Sequence, residues 1–290
     1  MAVTVERYGR DGAARLIEAL QSWAPPGGYF ATIHAGDLGW HLRFDDADLA
    51  GTFVAVLDDD EPVAVGLLEG STFRPTIRPD RGHDHDVAAA LVDVLRALPT
   101  DRDAHTDAGS ESLFRAMLSG DGWHVDPDAW PLFYRPLSPA DGEHDDPLSR
   151  PLESDADIAD RVAVQRAAFT SSTFTVERWH RMAAGPGFDP ALELLRRDRD
   201  GAPVAAATGW SAGPGKVGIL EPVGADPAYA GHGYGKAVSL AVIAALARAG
   251  ASGVTVCTPL SNAAAVRTYT ACGLRQVELM HGLMRPAGPS

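Results

Sequence analysis

A run of alternating glycines is the stretch of this sequence that points most directly to chemistry. The run Gly231-His232-Gly233-Tyr234-Gly235-Lys236 follows branched apolar residues that begin at Val217 and predict a buried strand. It precedes residues 237–249, whose alanines and leucines predict a helix. The first N–H groups of a helix have no partner within it, and the helix dipole adds partial positive charge there. We therefore predict that this turn binds a phosphate or pyrophosphate, with glycines that let the main chain come close to the anion.

Two better-known glycine loops do not fit this run. A Walker A loop ends in Gly-Lys-Ser/Thr, but Ala237 follows Lys236. A dinucleotide fingerprint has the spacing Gly-x-Gly-x-x-Gly and an acidic residue about 20 positions further on. Here Gly231, Gly233 and Gly235 recur at every second position, and no acidic residue lies at that distance. Glycine-rich turns also occur for packing alone, so the choice between phosphate binding and packing depends on the flanking sequence.

The flanking sequence contains a second motif in the right order. Residues 254–258 predict a strand and residues 263–272 a helix. Here the sequence resembles the GNAT superfamily, whose members transfer an acyl group from acyl-CoA to an amine. The family signature Asn-x-x-Ala-x-x-x-Tyr-x-x-x-Gly-Phe is matched, with leucine in place of phenylalanine, by Asn262, Ala265, Tyr269, Gly273 and Leu274.

The glycine run resembles the family's phosphate motif, Arg/Gln-x-x-Gly-x-Gly/Ala. Gly233 and Gly235 match it, whereas Ala230 stands where the family prefers a basic or amide side chain. His232 and Lys236 are candidates to compensate for the missing ligand. The resemblance implies acetyl-CoA or another acyl-CoA as co-substrate and no metal. The expected cofactor-binding residues are Val223, Gly224 and Ala225 of a β-bulge, then Ala230, Gly231, His232, Gly233, Tyr234, Gly235, Lys236 and Asn262.

Two residues are candidates for the proton transfers that acyl transfer to an amine requires. The resemblance implies that Tyr269 is the general acid; the alternative is an aromatic residue that packs in the core. Glu221 is the candidate general base, because a carboxylate within an apolar strand is costly to bury and is expected to line a cleft with a raised pKa. A salt bridge at the strand end is the equally open alternative. Asn262 would cap its helix in either case.

The order of predicted elements repeats, which divides the chain into two halves. We predict a first GNAT-like domain at 1–137, a polar linker at 138–148 and a catalytic GNAT domain at 149–290, called the first and second half below. The implied fold is α/β (α+β): two tandem GNAT-like domains, each a mixed, mostly antiparallel sheet flanked by helices. In the first half, Asp84 and Asp86 replace the phosphate glycines and Leu118 replaces the tyrosine. Carboxylates there would repel pyrophosphate, so this copy is predicted to have lost cofactor binding.

Aromatic residues in both halves are candidates for the acceptor side. In the second half the resemblance points to Phe169, Phe174, Trp179, His180 and Trp210. In the first half the candidates for a wall of the acceptor site, or for the interface, are Tyr29, Phe30, His34, Trp40 and His41. Core packing is the alternative for each of them.

Composition sets further limits. The formal net charge is −14 and the pI about 5.0, which argues against nucleic acid or an anionic membrane as partner and suits a cationic amine. The polar N-terminus shows no signal peptide or membrane span, so we expect a cytoplasmic enzyme, monomeric or homodimeric. Cys257 and Cys272 are expected to be buried apolar residues.

Three classes of function remain open on the sequence. The first is an N-acetyltransferase that acts on a small-molecule or peptide amine. The second is a sensor that binds acyl-CoA without turnover, and the third is a binding protein without CoA, for which only Ala230 gives support.

Overall fold

The computed structural model describes residues 3–25, 27–29, 32–109 and 112–288. The first half contains β1 (Thr4–Tyr8), α1 (Ala13–Trp23), α2 (Ala35–His41), α3 (Asp46–Leu49), β2 (Phe53–Asp58), β3 (Glu61–Glu69), β4 (Thr72–Ile77), α4 (His85–Arg96), β5 (Ala104–Thr106), α5 (Leu113–Ser119) and β6 (His124–Pro136). The second half contains β7 (Ser149–Pro151), α6 (Asp155–Ala168), α7 (Val176–Ala183), β8 (Glu193–Arg197), β9 (Pro203–Trp210), β10 (Val217–Ala225), α8 (Tyr234–Arg248), β11 (Gly253–Cys257), α9 (Ala263–Ala271) and β12 (Arg275–Arg285).

All described strands belong to one sheet that runs through both halves. Its order is β1-β2-β3-β4-β5-β12-β6-β11-β10-β9-β8-β7. Neighbouring strands are antiparallel except for β4–β5 and β10–β11, which are parallel. Each half therefore repeats the same five-strand arrangement, and the predicted mixed, mostly antiparallel α/β fold in two tandem copies is confirmed.

The last strand of each half lies in the sheet of the other half. β6 pairs with β11, with Leu132 opposite Cys257, and β12 pairs with β5, with Leu283 opposite Thr106. β6 and β12 also pair with each other at the centre of the sheet. The division at 137 and 149 stays a prediction, and this exchange means that neither half completes its sheet from its own residues.

The hydrophobic cores follow the halves, with one cluster between them. α8 packs on the second-half sheet, while α1, α2 and α4 cover the first-half sheet. The bridging cluster contains Trp40 from the first half together with Phe174, Met182 and Trp210 from the second. Its apolar contacts stabilise one relative placement of α2, α7 and β9.

Local signals account for most element boundaries. Gly233, the residue before α8, lies in the left-handed region (φ 79°). The helix therefore starts at Tyr234, three residues before the predicted start at Ala237. The predicted linker forms a short 3₁₀ helix at residues 139–143, which is fixed by a capping box between Ser138 and Asp141. Arg248 of α8 donates a hydrogen bond to Gly142 O at 2.9 Å, so part of the linker is anchored. No helix of the described residues is long and apolar enough to cross a membrane.

Candidate functional site

The site begins at an irregularity in β10. The pairing with β9 shifts register between Leu220 and Val223, which leaves Glu221 and Pro222 in a bulge with a cis peptide bond. The parallel pairing of β10 with β11 covers Val217 to Ile219 only, so the two strands separate beyond it. The Trp210 indole Nε1 donates a hydrogen bond to Glu221 O at 2.6 Å and holds the bulge. A bulge is present in β10, but it lies at Glu221 and Pro222, while Val223, Gly224 and Ala225, for which it was predicted, pair regularly with β9. The separation of β10 from β11 beyond Ile219 leaves a cleft between the two strands.

The helix that follows presents an open N-terminus at this cleft. Gly231 and Gly233 have φ values of 83° and 79°, and no side chain of the described residues caps α8. A Cβ built at either glycine would meet no atom within 4 Å. A Cβ built at Gly235 would lie 3.8 Å from Thr268 of α9 and 3.9 Å from Ala225 of β10. The structure thus brings the bulge strand, the glycine turn and α9 together, and the N–H groups of the first turn are available to an anion.

The corresponding turn of the first half is closed. Asp84 caps α4 with its own side chain, which accepts hydrogen bonds from Asp86 N and Val87 N. Arg81 in turn pairs with Asp84 and Asp58. In addition, β3 and β4 pair without the register shift that marks β9 and β10. In the first half a capped turn thus stands where the second half has an uncapped one, and regular strand pairing stands where the second half has a bulge.

The rings of Tyr229, His232 and Tyr234 and the guanidinium of an arginine lie around the open turn. His232 stacks on Tyr234 with ring centroids 5.6 Å apart, and its Nδ1 lies 3.0 Å from Tyr229 O. The Arg196 guanidinium lies 5.8 Å above the Tyr234 ring. Lys236 and Ala230 are both exposed. The exposed cation of Lys236 and the ring of His232 flank the turn where Ala230 offers no ligand.

Tyr269 lies beneath this turn in the second-half core. Only 7% of its surface is exposed, and its ring packs 6.1 Å from that of Phe133. Burial raises the pKa of Tyr269, and the charge of Glu221 raises it further, so the phenol keeps its proton at neutral pH. Asn262 caps α9, because its Oδ1 accepts a hydrogen bond from Ala265 N at 3.2 Å. The predicted cap is confirmed.

Charged residues of the first half act electrostatically on Glu221. Burial raises its pKa to about 8 and Asp37 adds to the rise, while Arg74 and Arg43 oppose it. Arg74 lies 3.2 Å from Asp37 Oδ1 and 3.3 Å from Glu69 Oε2. A carboxyl group with this pKa exchanges its proton close to neutral pH, which is the property expected of a general base. We name Asp37, Arg43, Glu69 and Arg74 the first-half charge cluster.

Tight packing of α2 on the second half places this cluster. A Cβ at Gly36 or at Gly39 would overlap the Trp210 indole, so only glycines allow α2 to come this close. His34 Nδ1 accepts a hydrogen bond from Gly36 N, and its Nε2 donates one to Val217 O at 3.1 Å. Since Trp210 also holds the Glu221 carbonyl, α2 and the bulge are supported by the same indole.

Most of the aromatic candidates pack against other residues, and one lies at the cleft. Trp40, Phe174 and Trp210 are buried in the bridging cluster, with Trp179 packed against it. Tyr29 packs on Tyr134 with centroids 5.2 Å apart, His41 lies 2.8 Å from Glu69 Oε1, and His180 is exposed. Phe169 is exposed and lies next to Gly224, at the bulge. Phe30 lies outside the described residues.

Sequence reasoning missed the first-half charge cluster. One signal was available: Phe73-Arg74-Pro75 in β4 corresponds to Leu220-Glu221-Pro222 in β10. The two cysteines are free thiols, and burial raises the pKa of Cys257 to about 12 and that of Cys272 to about 11. Both stay protonated at neutral pH and are poor nucleophiles. Within the described ranges no group of residues has the composition of a metal site.

Comparison with known proteins agrees with this architecture. Residues 162–274 match the Acetyltransferase (GNAT) family. The second half therefore contains a GNAT acetyltransferase domain. A mycothiol acetyltransferase from Kineococcus radiotolerans is 34% identical over 128 residues, which are 43% of this chain and 41% of that protein. The chain thus covers about two-fifths of this curated relative.

Solved structures extend the likeness to the whole chain. A GCN5-related N-acetyltransferase from Sphaerobacter thermophilus has a TM-score of 0.57 at 20% identity, over 99% of this chain and 96% of its own. A tandem GNAT protein from the clavulanic acid biosynthesis pathway has a TM-score of 0.58 at 14% identity, over 99% of both chains. At these identities the likeness shows the fold, which is that of a tandem GNAT protein.

Proposed function

We propose that the second half is an N-acetyltransferase that transfers an acetyl group from acetyl-CoA to a primary amine. The observation that carries the proposal is the uncapped glycine turn of α8 beside the bulge of β10, with Glu221 in that bulge and Tyr269 in the adjoining helix. The same turn in the first half is filled by Asp84, so we propose one acetyl-CoA per chain. Membership of the second half in the GNAT family supports the choice of co-substrate.

The arrangement suggests how the residues would divide the work. The N–H groups of Tyr234, Gly235 and Lys236 would hold the pyrophosphate, and the main chain of Val223 to Ala225 would pair with the pantetheine arm. The amine nitrogen forms a bond to the thioester carbon as the carbon–sulfur bond breaks. Glu221 accepts the proton that the nitrogen loses, directly or through water, and Tyr269 gives a proton to the departing sulfur. Overall, one proton moves from nitrogen to sulfur.

We also propose that the first half forms a wall of the acceptor site. The first-half charge cluster acts electrostatically on Glu221, and α2, which carries Asp37, packs directly on Trp210. An amine approaches as an ammonium ion, and the carboxylates of Asp37 and Glu69 together with Glu221 favour a cation over an anion. This role explains why a half with a closed phosphate turn is retained in the molecule.

The acceptor is proposed here only as a class. GNAT acetyltransferases act on small-molecule or peptide amines, and the relative from Kineococcus radiotolerans is named a mycothiol acetyltransferase. Because the chain covers only 41% of that relative, we propose acetyl transfer for this chain but do not propose the relative's acceptor for it. The proposed sites and the domain boundaries 1–137, 138–148 and 149–290 belong to the same proposal.

The second candidate is a sensor that binds acyl-CoA without turnover. A sensor needs the open turn of α8 but has no use for a carboxyl group with a pKa of about 8 next to a protonated buried phenol. We therefore prefer the enzyme. The experiment that separates the two measures thiol release from acetyl-CoA with a panel of primary amines, and acetyl-CoA binding by calorimetry. Amine-dependent thiol release supports the enzyme; binding at one site per chain without release would establish the sensor.

A further inference from the structure

The bulge of β10 is held by a side chain of the neighbouring strand. The pairing of β10 with β9 shifts register between Leu220 and Val223, so Glu221 and Pro222 lie outside the regular ladder. Proline has no N–H group, and residues in a bulge lose part of their strand pairing. Trp210 lies on β9, and its indole Nε1 donates a hydrogen bond to Glu221 O at 2.6 Å. The indole therefore fixes the main chain at the point where strand pairing is interrupted.

The indole of Trp210 is enclosed on its other sides. Only 1% of the residue is exposed, and it belongs to the bridging cluster with Trp40, Phe174 and Met182. Phe188 packs edge-on against it, with ring centroids 6.1 Å apart. A side chain that is packed in this way keeps one orientation. The direction of the Nε1–H bond is thus set by the cluster.

Helix α2 of the first half forms part of this enclosure. A Cβ built at Gly36 would lie 2.4 Å from the Cβ and Cγ atoms of Trp210, and one at Gly39 would lie 2.5 Å from Cζ3. The main chain of α2 therefore lies directly on the ring. His34, which caps α2, donates from Nε2 to Val217 O of β10 at 3.1 Å. Direct contacts thus run from α2 through the indole to the bulge.

We propose that Trp210 is a positioning residue for Glu221. Its N–H group fixes the main chain that carries the carboxyl group, and its ring takes its place from α2. The inference rests on the proposed role of Glu221 as the base, and it adds the contact through which the first half acts on the reaction. Proton transfer needs a base at a defined distance and angle, so a displaced bulge would slow it.

Trp210→Phe in the whole protein tests this contact, because it keeps an aromatic ring and removes the N–H group. Burial is the largest cause of the raised pKa of Glu221, and a released bulge admits water, so that pKa should fall. We expect kcat to fall about ten- to a hundredfold and the midpoint of the pH profile of kcat/KM to move to lower pH. Acetyl-CoA binding, measured by calorimetry, should persist.

Trp179→Phe is the matched control. Trp179 packs against the same cluster, and its buried Nε1 has no hydrogen-bond partner among the described residues. The substitution removes an indole of equal size without removing a hydrogen bond, so the pH midpoint should stay where it is in the wild type. A change that both variants share would reflect loss of packing and would overturn the positioning role.

Gly39→Ala tests the same contact without any change at Trp210. The added methyl group would overlap the ring, so α2 or the indole must shift. We expect the pH midpoint to move in the same direction as in Trp210→Phe, with kcat reduced about fivefold or more. This variant keeps the inference testable if Trp210→Phe does not fold.

One measurement is independent of turnover. In protein labelled with ¹⁵N-tryptophan, the Nε1–H signal of Trp210 should follow the ionisation of Glu221 with a midpoint at about pH 8, and Glu221→Gln should abolish this titration. The signal of Trp179 should not titrate. Titration of the Trp210 signal without thiol release for any amine supports the contact and overturns the proposed transferase. A Trp210 signal that does not titrate, with unchanged pH profiles in Trp210→Phe and Gly39→Ala, overturns the inference and leaves acetyl transfer standing.

Discussion

Arg74 occupies the position in the first half that Glu221 occupies in the second. Each is followed by proline, and each lies in the strand that pairs in parallel with β5 or with β11. The charges of the two side chains act on one another across the junction. The second half therefore has a carboxyl group with a pKa of about 8, and the first half has at the same position a cation that lowers this pKa. The degenerate half contributes to the site by this reversal of charge.

The first prediction concerns the phosphate turn. Gly233→Asp should weaken acetyl-CoA binding at least about a hundredfold, because it places a carboxylate at the open N-terminus of α8. Gly201→Asp is the control, since Gly201 also has a positive φ (89°) and open space around its Cα, but lies in the turn between β8 and β9. Calorimetry measures both dissociation constants. Equal binding by the folded Gly233 variant and the wild type would refute the pyrophosphate site.

The second prediction concerns the proton donor. Tyr269→Phe removes only the hydroxyl group, so acetyl-CoA binding should persist while kcat falls about ten- to a thousandfold. Tyr8→Phe removes the same group at the outer edge of the sheet and should change neither quantity. Steady-state thiol release gives kcat, and calorimetry gives the dissociation constant. An unchanged kcat in the Tyr269 variant would mean that the ring only packs against Phe133.

The third prediction concerns the pH dependence of turnover. A base must be ionised to accept a proton, so kcat/KM should rise with pH through about 8, the pKa of Glu221. Asp37 and Glu69 raise this pKa, and Arg74 and Arg43 lower it. Arg74→Gln removes a cation and leaves Asp37 unpaired, so the rise should move to higher pH and activity at pH 7 should fall about five- to twentyfold. Arg74→Lys keeps the charge and should retain most of the original profile; identical profiles for all three proteins would contradict the coupling.

The fourth prediction concerns stability. The pKa of Glu221 is about 8 in the folded protein and about 4.5 when unfolded, so the unfolded chain releases its proton first as the pH rises. Stability is therefore lost between about pH 4.5 and 8. Glu221→Gln has no proton to release, so its melting temperature should rise relative to that of the wild type between pH 5 and pH 8. A difference in melting temperature that is the same at both pH values would show that Glu221 titrates normally.

Local sequence predicted the elements that local forces determine. The glycine turn, α9 with its cap Asn262 and the hairpin strands β2 and β3 follow from residues a few positions apart. The pattern predicts nothing beyond Leu274, although β12 extends to Arg285 and occupies the centre of the sheet. Alternation identifies a strand but not its neighbour, because pairing partners are chosen by contacts far apart in sequence. The sequence pattern therefore could not predict the exchange of β6 and β12.

The same limit applies to the candidate site. Glu221 could be singled out as a charge in an apolar strand, but its surroundings come from α2, β3 and β4 of the other half. Asp37 in the sequence is an ordinary helix-start residue, and its hydrogen bond with His34 N at 2.7 Å explains it locally. Its action on Glu221 depends on Gly36 and Gly39, which let α2 reach Trp210. Only the packing of the two halves reveals this role.

The last prediction concerns what the second half needs from the first. Residues 149–290 alone lack β6, so β11 would become an exposed edge and β12 would lose both of its neighbours. We expect this fragment to be poorly soluble, or to bind acetyl-CoA and lose most acetyl transfer. Residues 124–290 restore β6 and the linker but lack the first-half charge cluster and α2. This longer fragment should be soluble and bind acetyl-CoA, with kcat/KM reduced about tenfold or more because the wall beside Glu221 is absent. Solubility, calorimetry and thiol release distinguish loss of a strand from loss of the wall, and full activity of a soluble, monomeric 149–290 fragment would show that the first half is dispensable.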